Sequence, residues 1–156
     1  MVKSYTGKDK LESDIKFELE NLERLVKESK ELIEKINDKP DFIETRAAGS
    51  ILHDFYCGVE KIFERIAVNI DKKLPSGESW HSELLIQMAD PWDDTRDELI
   101  TAGLMSVLKE YMRFRHLFRH VYGFELRWER FRELFLRLEY TFNELKSGIE
   151  KFIDEL

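Results

Sequence analysis

The residues best equipped for chemistry stand in one run, Arg113-Phe114-Arg115-His116-Leu117-Phe118-Arg119-His120-Val121-Tyr122-Gly123-Phe124. These twelve positions hold three arginines, two of the chain's four histidines and four aromatic rings, and no acidic residue interrupts them. A helical bundle needs no such run in order to fold. Histidine can take the proton from a ribose 2′-OH or give one to a leaving oxygen. Arginine can grip a phosphate in a fork and stabilise the charge of a pentavalent transition state. Together they suit RNA cleavage without a metal, with a 2′,3′-cyclic phosphate as product. Dependence on the 2′-OH would leave DNA uncut. Tyr122, Phe118 and Phe124 could stack bases.

Plainer readings stand beside this one. Arginine and histidine are favoured at a helix C-terminus by the macrodipole, so the run can be an ordinary helix end. His116 and His120 are four apart and could hold zinc or nickel, but no third ligand is evident. Glu78 and His81 have the Glu-x-x-His spacing of di-iron bundles, yet a single copy starting in a Gly/Pro loop falls short of that ligand set. No metal and no cofactor are expected. Cys57, the one cysteine, rules out an intrachain disulfide and reads as a small buried apolar residue. His53 and Asp54 read as a partly buried polar pair, with Asp54 placed to brace a group on a facing helix.

The charge is unevenly distributed. Lys109 to Arg137 holds eight basic and four acidic residues in a chain whose formal net charge is -7, so the remainder is more acidic still. That argues against broad coating of nucleic acid and allows a local phosphate site. The N-terminal residues have no apolar run of a signal peptide, and no stretch approaches the length that spans a bilayer, so a cytoplasmic protein without membrane contact is expected.

The elements that must position these groups follow from periodicity. The 156 residues suit one domain, and 42% hydrophobic with 37% charged content, 7 Gly and 3 Pro favours long amphipathic helices. Residues 1–8 read as a flexible arm. Leu11, Ile15, Leu19, Leu22, Val26, Ile33 and Ile36 make one face of a first helix that Asp38-Lys39-Pro40 ends. A second runs from about Asp41 to Ile70, with Phe42, Ile51, Phe55, Val59, Ile62, Phe63 and Ile66 inward. Leu74-Pro75-Ser76-Gly77 is a loop. Ser79 caps a short helix, Trp80 to Ala89, with Trp80 as a lid over the bundle end. Thr95, with Glu98 as a capping box, starts the next helix. That helix delivers the Arg113–His120 stretch at its C-terminal end. A last helix runs from about Phe124 to Ile153. The expected fold is all-α: an up-and-down antiparallel four-helix bundle with one short extra helix.

Helix geometry sets a condition on the chemistry. Residues five apart differ by roughly 140° around the axis, so Arg115 and His120 would point to different sides. They can cooperate only if the helix ends near Gly123, if a second subunit supplies the partner group, or both.

Arg115-His116-Leu117-Phe118-Arg119-His120-Val121-Tyr122 resembles the R-x4-H-x-Y signature of HEPN domains, specifically the HepT-like ribonuclease toxins. The order of helices and the segment Ser79-Trp80-His81-Ser82-Glu83-Leu84-Leu85 are similar to that family over most of residues 10–153. The resemblance implies a homodimeric, metal-independent endoribonuclease toxin of a type VII-like toxin–antitoxin pair, with transfer RNA as its substrate. Arg115 would match the motif arginine and His120 the motif histidine. His116 stands where relatives usually carry a polar residue, often Asn. In such pairs a minimal nucleotidyltransferase (MNT) antitoxin transfers AMP to the motif tyrosine, here Tyr122. The added charge and bulk would block RNA beside Arg115 and His120. Arg113, His116, Arg119 and Asp54 remain supporting or RNA-contacting residues. The alternative is a non-catalytic HEPN adaptor that dimerises and binds a nucleotide or a nucleotidyltransferase. A further one is a helical interaction module.

Overall fold

A computed structural model describes residues 7–156. Helix α1, Gly7–Lys35, buries Leu11, Ile15, Leu19, Leu22 and Val26, the stripe its spacing predicts. Gly7 and Lys8 already belong to it, and the rest of the expected arm lies outside the described residues. Helix α2, Phe42–Ile66, opens on a capping box: the Asp41 carboxylate accepts from the Glu44 N–H at 2.7 Å, and Glu44 Oε1 accepts from the Asp41 N–H at 2.9 Å. The N–H groups of Asp41 and Glu44 are thereby satisfied. Phe42, expected in the core, is 59% exposed at the first position of α2, and Ile33 is about one-third exposed.

After Ile66 the backbone widens into a π-helical turn, Ala67–Asp71, which Lys72 ends in the left-handed conformation at φ 59°. Helix α3, Trp80–Ala89, matches its expected bounds, and Trp80 lies half-buried over His81 with ring centroids 3.7 Å apart. Helix α4, Ala102–His120, begins later than expected. Thr101 is its cap, accepting from the Leu104 N–H at 3.0 Å, and the Thr95–Glu98 box does not form. The reason is Arg96, whose guanidinium is drawn inward to Asp71 and holds its segment in a non-helical path. The following Leu99 carbonyl lies so close to Gly148 that any side chain there would collide with it.

The expected last helix is three pieces. A 3₁₀ turn, Gly123–Glu125, leads to α5, Trp128–Leu136, and then to α6, Leu138–Asp154. The break falls at Arg137 (φ −93°, ψ 3°). Beside it the Tyr111 hydroxyl donates to the Leu134 carbonyl at 2.6 Å, taking an acceptor that an unbroken helix would offer to residue 138.

Helix α1 packs on α2, α2 on α4, α4 on α6, and α6 back on α1, closing an all-α bundle. Helix α3 lies across α2 and α4, and α5 closes the end where α4 stops. The core is a continuous cluster with Phe55, Phe63, Tyr111 and Phe135 among its largest fully buried side chains. Among the described residues, no helix is long and apolar enough to cross a membrane.

Candidate functional site

One face of α2 carries His53, Cys57, Glu60 and Glu64, at spacings of four, three and four that stack them along a single stripe. This stripe faces α4 and α3, which contribute Arg115 and His81. The resulting polar seam is a chain of contacts. His81 Nδ1 lies 2.6 Å from one Glu60 oxygen. The other Glu60 oxygen is 3.6 Å from an Arg115 terminal nitrogen. Arg115 Nε–H donates to Cys57 Sγ at 3.1 Å, and Cys57 Sγ is 3.8 Å from His53 Nε2. His53 Nδ1 closes the line on Asp54 at 3.1 Å.

Burial sharpens the electrostatics. The Glu60 side chain is only 5% exposed, so its charge is affordable chiefly through Arg115 and His81. Burial alone would lower the Arg115 pKa, but the Cys57 hydrogen bond and the Glu60 charge outweigh it, and the pKa rises above its ordinary value. Glu64 is pushed up by burial and then by Glu60, with His81 and Arg115 opposing. The Tyr56 hydroxyl is buried in the same region with no hydrogen-bond partner among the described residues. Burial first and Glu60 second push its pKa well up.

Arg115 is held without being saturated. Of its five N–H groups, Nε–H reaches sulfur and one terminal nitrogen reaches a carboxylate at a loose 3.6 Å. The remaining donors have no protein partner among the described residues, and the side chain keeps 14% exposure at the edge of the seam.

His120 is the last residue of α4, and Val121 follows in extended conformation (φ −123°, ψ 157°). Its ring is exposed and meets the His116 ring edge-on at 4.4 Å. Arg115 turns inward while His120 lies outside, as the angular offset along α4 requires; no hydrogen bond or ion pair joins them within the described chain. Arg113 and Arg119 are exposed, with no carboxylate in ion-pair distance among the described residues. Tyr122 lies beyond the helix, 70% exposed, and stacks on Phe124 at 5.3 Å with 6° between the planes.

Several sequence expectations change at this level. Asp54 does not brace a facing helix; its carboxylate takes His53 beside it on α2, and is 57% exposed. Cys57 is not an inert apolar residue but a half-buried acceptor for Arg115. Phe118 is turned against His53 and Phe114, with centroids at 4.9 and 6.1 Å, and is withdrawn from base stacking. Glu78 stays exposed in its loop, while His81 goes to Glu60. Glu60 itself was missed. The signal for it was present: a carboxylate seven residues from His53 and three from Cys57, on a stripe otherwise facing the core.

A bundle of α-helices alone, with an arginine held in a buried polar seam and a histidine at the end of the same helix, has the character of a HEPN-type protein. A family model described as HepT-like protein matches residues 47–156, well over half of the chain, and the chain belongs to that family. The matched region begins inside α2 and contains the whole seam from His53 to Arg115, together with His120 and Tyr122. No curated protein and no solved structure gives a significant match.

Proposed function

We propose that this protein is a metal-independent endoribonuclease toxin that cuts RNA, with transfer RNA as its substrate class, through attack of a ribose 2′-OH. Arg115 binds the scissile phosphate and stabilises the charge that builds on it. The observation that carries this reading is the state of Arg115: permanently charged, oriented by Cys57 and Glu60, and left with unused donors at the solvent edge. His120, exposed at the helix end, takes the 2′-OH proton or protonates the departing 5′-oxygen. The 2′-oxygen bonds to phosphorus as the 5′-oxygen leaves, giving a 2′,3′-cyclic phosphate. Arg115 and His120 of one chain diverge, so a homodimer, in which a second copy completes the constellation, suits this chemistry.

Control would fall on Tyr122. Its exposure on extended backbone suits modification by an MNT nucleotidyltransferase partner, which would place AMP beside the helix end. A second reading is kept by the charge of the chain. A net charge of -7 suits a non-catalytic adaptor that dimerises and binds a nucleotide or nucleotidyltransferase.

Purified protein, shown by mass spectrometry to carry unmodified Tyr122, should cut transfer RNA in EDTA and leave cyclic phosphate ends. Expression of the wild type without its partner should arrest growth, and His120→Ala should not. Intact RNA together with equal harmlessness of wild type and variant would sink the toxin reading in favour of the adaptor.

A further inference from the structure

Where α4 stops, two large aromatic rings are left in solvent. Tyr122 and Phe124 are 70% and 65% exposed and lie parallel to each other, which leaves an outer π-face free. Beside them an open cleft of about 260 Å³ separates the start of α2 from the start of α5, with Phe42, Phe124, Arg127 and Trp128 among its walls. Arg46 stands at the same corner. Its guanidinium carbon is 5.7 Å from the Phe42 ring centroid, and its guanidinium fills the space where a side chain on Gly123 would be. No carboxylate comes within ion-pair distance of Arg46 among the described residues, so its charge is free for an incoming anion. Aromatic faces beside an unneutralised arginine are the composition of a nucleotide-binding surface.

We propose that this corner is a subsite for one nucleotide of single-stranded RNA next to the scissile phosphate. The base stacks on the Tyr122–Phe124 ledge above the cleft, and its phosphate meets Arg46. A base locked in a duplex cannot present its face, so the subsite selects unpaired nucleotides. Stacking tolerates any base, so the corner fixes where the strand lies and leaves sequence unread. This inference rests on the ribonuclease reading for its substrate, adds Arg46 and Phe42 to the residues that meet it, and gives Phe124 its place beside them.

The probe is a fluorescein-labelled oligouridylate methylated at every 2′-oxygen, which binds without being cut. Its binding to the full-length protein is followed by anisotropy. Phe124→Ala should weaken binding about 5- to 150-fold, the range of one lost base stack. Phe124→Trp should restore it, and Arg46→Gln should weaken it and flatten its salt dependence. Annealing the probe to its complement should abolish the difference between wild type and Phe124→Ala. Light scattering in parallel reports the oligomeric state. Wild type that does not bind, or Phe124→Ala and Arg46→Gln variants that bind like wild type, would overturn the subsite. So would a Phe124→Ala variant that changes only the oligomeric state, since the ledge would then be a protein contact. If the variants lose the probe but the wild type never cuts natural RNA, the single-strand binding corner stands, and the ribonuclease reading falls together with the placement beside a scissile phosphate.

Discussion

Arg96 and Arg115 are both drawn into the bundle, one from the segment before α4 and the other from near its end. Arg96 is saturated. Its Nε–H and one terminal nitrogen grip Asp71 at 2.7 and 2.6 Å, and its remaining donors reach the carbonyls of Asp90, Asp97 and Gln87 at 3.0 to 3.2 Å. The pair is 3% and 0% exposed. Arg115 has a sulfur, a distant carboxylate and a free edge. One guanidinium is spent entirely on the fold, joining the π-helical turn, α3 and the following loop. The other is oriented by Cys57 and Glu60, and its remaining donors have no protein partner among the described residues. Arg115 keeps 14% of its side chain exposed, where Arg96 keeps 3%.

The largest effect should come from breaking the saturated site. Arg96→Ala leaves the Asp71 carboxylate buried and unpaired, and should cost about 3–5 kcal/mol in urea unfolding. A loss under about 1 kcal/mol would mean that this network is not what holds the segment before α4. Arg115→Ala should do the reverse, lowering RNA cleavage about 10²- to 10³-fold in single-turnover assays. Its unfolding free energy should fall by about 1–3 kcal/mol, less than for Arg96→Ala, because Glu60 keeps His81. If Arg115→Ala were as destabilising as Arg96→Ala while cleavage survived, the two arginines would share one structural role.

Two tyrosines refine the contrast between satisfied and unsatisfied groups. Tyr111 donates to Leu134, and its pKa is pushed up to about 12, mainly by burial. Tyr111→Phe should lose about 1 kcal/mol. The sign of the pH effect follows from the raised value. The unfolded chain releases this proton first, so the stability Tyr111 contributes is intact below pH 10 and falls as pH rises toward 12. Urea unfolding at a series of pH values from 9 to 11 should show a shallower decline for Tyr111→Phe than for the wild type. Tyr56 has no such partner among the described residues. Tyr56→Phe should leave stability unchanged or raise it by up to about 1 kcal/mol. A clear loss there would show that its hydroxyl is bonded after all.

The same contrast explains what the sequence disclosed. Local patterns carried the stripe of α1, the bounds of α3 and the face of α2, because each depends on residues within a turn or two. Thr95 was misread as a cap because Arg96 answers to Asp71, 25 positions earlier. The break at Arg137 was invisible because its cause is a hydroxyl 23 residues before Leu134. Within the candidate site, Arg115, His120 and Tyr122 stood out because their spacing falls in one run. Glu60 did not, because a glutamate on a helix reads as surface until α3 and α4 close over it.

The end of α4 has a consequence for timing. Tyr122 comes after the last helical residue, on extended backbone, with its phenol in water. An enzyme acting on that hydroxyl can seize the strand as it stands. Helix α4 does not have to unwind for that hydroxyl to be reached. Any covalent control exerted there would be limited by encounter and by the transferase's own turnover, not by the unwinding of α4.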